Sequence, residues 1–247
     1  MTTGKRRTIL IIILLLSLCA LIAVVVYPKY MHMRMKRLDY KVYGGMTPEL
    51  TDCDLYRDMQ SGKSFCFMGD SITRGSLIWD IPWYEPLLPY INGEIYSLAK
   101  GGWFTEDLLR RMDKIPLADV YVIAIGINDV MSPEDRNAAA TAEDYVGKIS
   151  VLKEYIRGIN PDANIYFIAP WVIFTDDVNT DARGDAFRDE LRLWCEADAD
   201  CIYINPVPAM MEVMEREGAV RFMYDSCHPG APEGVGLDRY AVLAGNN

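Results

Sequence analysis

Ser71 follows Gly69-Asp70 directly, and Asp225-Ser226-Cys227-His228 lies near the far end of the chain. A serine hydroxyl is a poor nucleophile until a base within hydrogen-bond reach takes its proton. The chain has two histidines. His32 falls in a basic stretch near the N-terminus, which leaves His228 as the candidate base. Imidazole suits that task because it gains and loses a proton near neutrality. Asp225 stands three residues before His228, close enough in a turn to accept a bond from one ring nitrogen and fix its tautomer. Attack on an acyl carbon also needs donors for the developing oxyanion. The candidates are the backbone N–H of Ser71, that of Gly102 in Lys100-Gly101-Gly102, and the side-chain amide of Asn128 in Gly126-Ile127-Asn128-Asp129. A glycine at 102 lets the backbone approach without a Cβ in the way, and Gly101 is the alternative in that register.

These residues lie far apart in the chain, so a fold must gather them. From Ser64 onward, strand-like and helix-like segments alternate. The strand candidates are 64–68, 94–98, 119–125, 164–169 and 201–204. The runs DVYVIAI and IYFIA are almost continuously apolar, the pattern of strands covered on both faces of a parallel sheet. Tyr145, Ile149, Leu152 and Ile156 form one helical stripe, with Thr141 as N-cap. Phe187, Leu191 and Trp194 form another, and Met210, Val213 and Met214 a shorter one. This alternation predicts a doubly wound α/β sheet. Ligands bind such sheets at the carboxyl ends of the strands. Gly69-Asp70-Ser71, Gly101-Gly102 and Gly126-x-Asn128 each follow a strand candidate at once.

Residues 8–27 read TILIIILLLSLCALIAVVVY, an uninterrupted apolar run. Twenty helical residues span about 30 Å, the hydrocarbon thickness of a bilayer. The run exceeds the usual core of a cleaved signal peptide, no A-x-A-like site follows it, and Cys19 lacks a lipobox. The sequence therefore predicts a cytoplasmic tail over 1–7, a transmembrane anchor over 8–27, a juxtamembrane linker over 28–60 and a globular domain over 61–247. Lys5, Arg6 and Arg7 favour a cytoplasmic N-terminus, with the domain outside the cytoplasm. Residues 1–40 hold seven Lys/Arg against one acid, Asp39, a balance of +6, so within the net charge of −10 the remainder carries −16. An acidic domain argues against a nucleic-acid partner. Cys195 and Cys201 flank an acidic turn and could pair, although spacing alone does not establish a disulfide.

Taken together, the blocks Gly69-Asp70-Ser71, Gly102, Gly126-x-Asn128-Asp129 and Asp225-x-x-His228, in that order over roughly 64–245, resemble the SGNH hydrolases, also called GDSL-like lipases or esterases. The resemblance implies a three-layer α/β/α sandwich with a flavodoxin-like parallel five-stranded sheet. It implies Ser71 as nucleophile, His228 as base and Asp225 as its partner, with Ser71, Gly102 and Asn128 as oxyanion hole. It implies no metal and no organic cofactor. No G-x-S-x-G elbow occurs, which disfavours the ordinary α/β-hydrolase fold. Two positions depart from the family pattern. Ser97 stands where an asparagine usually opens the second block, and Trp103-Phe104 follow its glycine where Asp or Thr is usual.

The expected reaction is hydrolysis of a short acyl ester, first an O-acetyl group on a cell-surface carbohydrate. O-acyl transfer to a sugar, or cleavage of lipid esters as by a lysophospholipase or lipase, would use the same triad. A non-catalytic carbohydrate-binding or scaffolding domain is the alternative of another class, and the oligomeric state is left open. Asp70 and Asp129 are expected to cap the turns that follow them rather than to bind metal. Cys227 is expected to be a bystander. Trp79, Trp83, Tyr84, Trp171 and Phe174 either line a sugar-binding cleft or pack in the core.

Overall fold

The computed structural model describes residues 3–27, 29–30, 48–76, 80–174, 178–230 and 233–246. Five parallel strands, β1 (Phe65–Gly69), β2 (Ile95–Ala99), β3 (Val120–Ala124), β4 (Asn164–Ile168) and β5 (Ile202–Ile204), form one sheet in the order β2-β1-β3-β4-β5. Each lies within a residue or so of its predicted span. The order is flavodoxin-like, and its direction reverses at β1, which pairs with β2 on one side and β3 on the other. A crevice opens beyond the carboxyl ends of the strands at such a reversal.

The sheet divides the core in two, as strand alternation requires. Phe65, Phe67, Val122, Tyr166 and Ile204 face one layer, and Cys66, Met68, Tyr121, Ile123 and Phe167 face the other. Helices α2 (Pro48–Thr51), α3 (Asp54–Gln60), α9 (Val207–Glu217) and α10 (Glu233–Ala244) cover the first face. Helices α5 (Thr105–Leu109), α6 (Ile127–Met131), α7 (Ala142–Ile159) and α8 (Val178–Glu196) cover the second. A short helix α4 (Ser71–Arg74) follows β1. The predicted stripes are the buried faces of α7, α8 and α9, where Tyr145, Ile149, Leu152, Ile156, Phe187, Leu191, Met210, Val213 and Met214 are all buried. Thr141 caps α7 by accepting the N–H of Asp144 at 3.1 Å. The fold is thus the expected three-layer α/β/α sandwich.

The stretch 28–60, expected to be a linker, needs a correction at its end. Residues 31–47, including His32, lie outside the described residues. From Pro48 the chain is part of the domain: Leu55 and Met59 are fully buried, and Leu50 is nearly so. Asp58 accepts the Tyr166 hydroxyl at 2.8 Å and the Asn164 amide at 2.6 Å, and pairs with Lys63 at 2.6 Å. Helices of four and seven residues are too short to display a readable apolar period, which is why the sequence concealed them.

Helix α1 (Thr3–Leu21) continues through one π-helical stretch, Ile22–Val26. Over Arg7–Val26 its mean hydropathy is 3.5, long and apolar enough to cross a membrane; a signal sequence has the same properties. Cys195 and Cys201 are both buried as free thiols.

Candidate active site

β1 ends at Gly69 and the chain turns immediately into α4. Asp70 is the N-cap, its Oδ1 accepting the N–H of Ile72 at 3.0 Å. Gly69 is required by space: a Cβ there would lie 2.1 Å from the Ala124 carbonyl oxygen and 2.4 Å from Thr73 Oγ1. The tight turn sets Ser71 at the carboxyl edge of the sheet, beside the reversal at β1, with 6% of its surface exposed.

Asp225 and His228 come from the loop that precedes α10. The loop is closed by a bridge between Met223 and Pro229 and by the Tyr224 N–H donating to the His228 carbonyl at 2.9 Å. The Phe174 N–H donates to the Ser226 carbonyl at 2.8 Å, tying the loop to the segment after β4. His228 Nε2 lies 2.8 Å from Ser71 Oγ. Its Nδ1 lies 2.9 Å from Asp225 Oδ2 and 3.0 Å from Oδ1. Oδ1 also accepts the N–H groups of Cys227 at 2.9 Å and His228 at 2.7 Å. Partial burial is the largest single influence on this carboxyl and acts to raise its pKa. The two N–H bonds and the imidazole together outweigh burial and hold it below the usual aspartate value. Asp225 is therefore an anion built into its own turn, and it orients the ring through Nδ1.

The opposite wall holds the candidate oxyanion donors. The Trp103 N–H reaches the Lys100 carbonyl at 3.3 Å, closing a tight turn in which Gly102 has φ +75°. The Lys100 N–H donates to the Gly69 carbonyl at 3.3 Å, pinning the turn beside β1. A Cβ on Gly101 would come within 3.9 Å of Ser71 Cβ, so this turn borders the serine. Asn128 stands on α6 just after β3, and its amide nitrogen donates to the Trp103 carbonyl at 2.9 Å. One amide hydrogen thus fixes the Gly102 turn, and a primary amide carries a second.

Asp129, expected to cap the turn that follows it, instead ties two distant segments together. Its Oδ2 accepts both the N–H and the hydroxyl of Thr105 at 3.0 Å, and its Oδ1 accepts the Ala139 N–H at 2.7 Å. Burial raises the pKa of this carboxyl above the ordinary aspartate value. From α8, the Arg183 guanidinium donates to the Asp129 carbonyl at 3.1 and 3.2 Å and to the Ala140 carbonyl at 3.1 Å. Thr105 and Arg183 were not anticipated. Nothing local marks them, since each acts across 24 to 54 residues of chain.

The aromatic alternatives resolve toward the core. Trp83 and Trp171 are buried, and Tyr84 stacks on Phe67 with ring centroids 3.9 Å apart. Phe174 is half-buried, and Trp79 lies outside the described residues. Cys227 Sγ lies 3.2 Å from His228 Nδ1, and burial pushes its thiol pKa up to about 12.

Comparison with known proteins agrees with this architecture. A catalytic mutant of Axe2, an acetylxylan esterase from Geobacillus stearothermophilus, superposes with a TM-score of 0.65 at 18% identity, covering 77% of this chain and 96% of that one. A putative GDSL-like lipase from Parabacteroides merdae gives 0.66 at 21% identity, covering 76% and 97%. LAE5, an alpha/beta hydrolase from the metagenome of Lake Arreo, gives 0.61 at 19% identity, covering 75% and 95%. At these identities the likeness establishes the fold. No curated protein matches the chain by sequence. The profile of the GDSL-like Lipase/Acylhydrolase family matches residues 67–232, from within β1 to just beyond His228. That match spans most of the chain, so the chain belongs to the GDSL-like lipase/acylhydrolase family and is a carboxylesterase.

Proposed function

We propose that Ser71, His228 and Asp225 are the catalytic triad of an esterase acting on short acyl esters of a cell-surface carbohydrate. One observation carries the reading: the unbroken chain from Ser71 Oγ through His228 Nε2 at 2.8 Å to Asp225 Oδ2 on Nδ1 at 2.9 Å. With Nδ1–H directed at the Asp225 carboxylate, Nε2 presents its lone pair to the hydroxyl. Ser71 Oγ attacks the acyl carbon as its proton passes to Nε2. Asp225 stabilises the imidazolium. The oxyanion is received by the N–H groups of Ser71 and Gly102 and by the second amide hydrogen of Asn128. His228 then protonates the leaving alcohol, and the acyl group stays on Ser71. Water, deprotonated by the same nitrogen, releases the acid.

The carbohydrate assignment draws on two supports. One structural relative is an acetylxylan esterase, and the apolar Arg7–Val26 helix is suited to anchoring the domain at a membrane. In this reading residues 1–7 are cytoplasmic, 8–27 span the bilayer, and the hydrolase domain lies outside the cytoplasm.

The test is turnover of p-nitrophenyl acetate by the full chain in detergent, beside Ser71→Ala. The variant should lose at least about 10³-fold in kcat while keeping the same thermal midpoint. Equal rates would favour a binding module instead. Acetate release from isolated cell-wall and capsule fractions, with and without an acceptor sugar, then separates hydrolysis from O-acyl transfer. Cleavage of long-chain lipid esters in preference to acetate would point to a lipase.

A further inference from the structure

Cys227 has no step in the reaction above, yet its thiol faces the same ring nitrogen that Asp225 holds. Among the described residues, Asp225, Cys227 and His228 form a cluster whose ligand atoms all lie within 4.8 Å of one another. Thiolate, imidazole and carboxylate are a zinc ligand set, and three such ligands leave a fourth position for water. In a tetrahedral site the sulfur and nitrogen stand about 3.5 Å apart, and the nitrogen and oxygen about 3.4 Å. The present sulfur–nitrogen and nitrogen–oxygen separations are 3.2 Å and 2.9 Å, within a few tenths of an ångström of those values, and the sulfur and the carboxylate lie within 4.8 Å of each other. Oδ1 of Asp225 accepts two backbone N–H groups, whereas Oδ2 faces the ring, and the Cys227 thiol lies against the same carboxyl group. The side chains of Asp225 and His228 are 38% and 16% exposed, so an ion reaches them from solvent, with the thiol buried beneath.

We propose that Asp225 Oδ2, Cys227 Sγ and His228 Nδ1 form a site for Zn²⁺, and that the ion switches the esterase off. The inhibitory part rests on His228 being the base, as proposed above. The ion sits on the Nδ1 side of the ring, away from Ser71, so it has no access to a substrate carbonyl and cannot act as a Lewis acid on it. Three metal–ligand bonds form. The thiol proton leaves to solvent, the ring proton moves from Nδ1 to Nε2, and no electron is transferred. An Nε2–H cannot accept the proton of Ser71, and Asp225 no longer supports an imidazolium.

The experiment uses the full chain in detergent. Zn²⁺ should lower p-nitrophenyl acetate turnover by tenfold or more, and a chelator should restore it. In Cys227→Ser, with inhibition expressed relative to that variant's own metal-free rate, the half-inhibitory concentration should rise at least tenfold. Co²⁺ supplies a readout independent of turnover: a thiolate-to-cobalt charge-transfer band should appear in the unsubstituted chain and in Ser71→Ala, and be absent from Cys227→Ser. Equal inhibition of the unsubstituted chain and Cys227→Ser overturns the proposal, as does a cobalt band that survives loss of the thiol. A Cys227-dependent band in a chain without metal-free esterase activity keeps the metal site and removes the catalytic reading.

Discussion

Asp70 is buried, and its Oδ2 has no hydrogen-bond partner among the described residues. Burial, with a further contribution from the nearby Asp129 carboxylate, pushes its pKa up to about 7 from 3.8. Between those values the folded chain holds a proton that the unfolded chain has released. The stabilising contribution is therefore complete below about pH 4 and is lost as pH rises through about 7. Asp238, also buried, has its pKa raised by desolvation and acts with the same sign. Asp70→Asn keeps an oxygen for the Ile72 N–H and removes the titration. Denaturant unfolding at pH 5 and pH 8 should show the variant gaining on the unsubstituted chain at the higher pH, on the order of 1–3 kcal/mol. Parallel pH dependence of the two would refute this account of Asp70. The residue types at the site were legible because each block carries its chemistry in a few adjacent positions. The burial of Asp70, and hence its titration, was not, because desolvation depends on what the rest of the chain places around it.

Each element that carries a site residue is held at its strand end by contacts specific to that position. Gly69→Ala would drive a Cβ into the Ala124 carbonyl at 2.1 Å, where neighbouring backbone cannot yield easily. Overpacking of this kind costs about 1–3 kcal/mol or more. Thermal unfolding should register the loss, and β1 and β3 should be forced apart at the end that bears Ser71. Helix α6 is held by Arg183, whose guanidinium lies 4.7 Å over the Phe187 ring while it binds the Asp129 carbonyl. Arg183→Met removes those donors and should let Asn128 drift. The expected result is a fall in kcat of up to about 10²-fold with little change in KM and a modest shift in melting temperature. Arg183→Lys should recover little, since a point charge cannot reproduce a planar fork of donors. A proportional loss of kcat and stability across both variants would mean that Arg183 serves the fold alone. At this scale the sequence read well: apolar strand runs and helical stripes are local, repeating features. It failed at α2 and α3, whose few residues complete no period, and at Arg183, whose partners lie 43 to 54 residues away in the chain.

At the scale of the whole molecule, the boundary of the folded unit matters most. A chain cut to residues 61–247 loses Leu50, Leu55 and Met59 from the core, together with the Asp58 cluster under β4. Large-to-small replacement of a single buried Leu or Met costs about 2–5 kcal/mol. Loss of several at once exceeds the few kcal/mol by which most domains are stable. Residues 48–247 should therefore give a cooperative thermal transition by circular dichroism, and residues 61–247 should not. If both melt at the same temperature, the two N-terminal helices contribute nothing to the fold. The apolar Arg7–Val26 helix stands in a different relation to the chain. Hydropathy is a one-dimensional property, so its suitability for a bilayer could be read without any structure.

By itself the sequence determined which chemistry was available, the order in which its residues come, and the alternation of strands and helices that carries them. These follow from side-chain type and from periodicities of two and 3.6 residues, which a linear chain displays directly. Only the tertiary structure decided that Ser71 and His228, 157 residues apart, stand 2.8 Å from each other. It alone put Trp83 and Tyr84 in the core, set Arg183 on the Asp129 carbonyl and turned the Cys227 thiol toward Nδ1. Those outcomes are distances through space, fixed by how layers pack and loops close, and no local property of the chain encodes them.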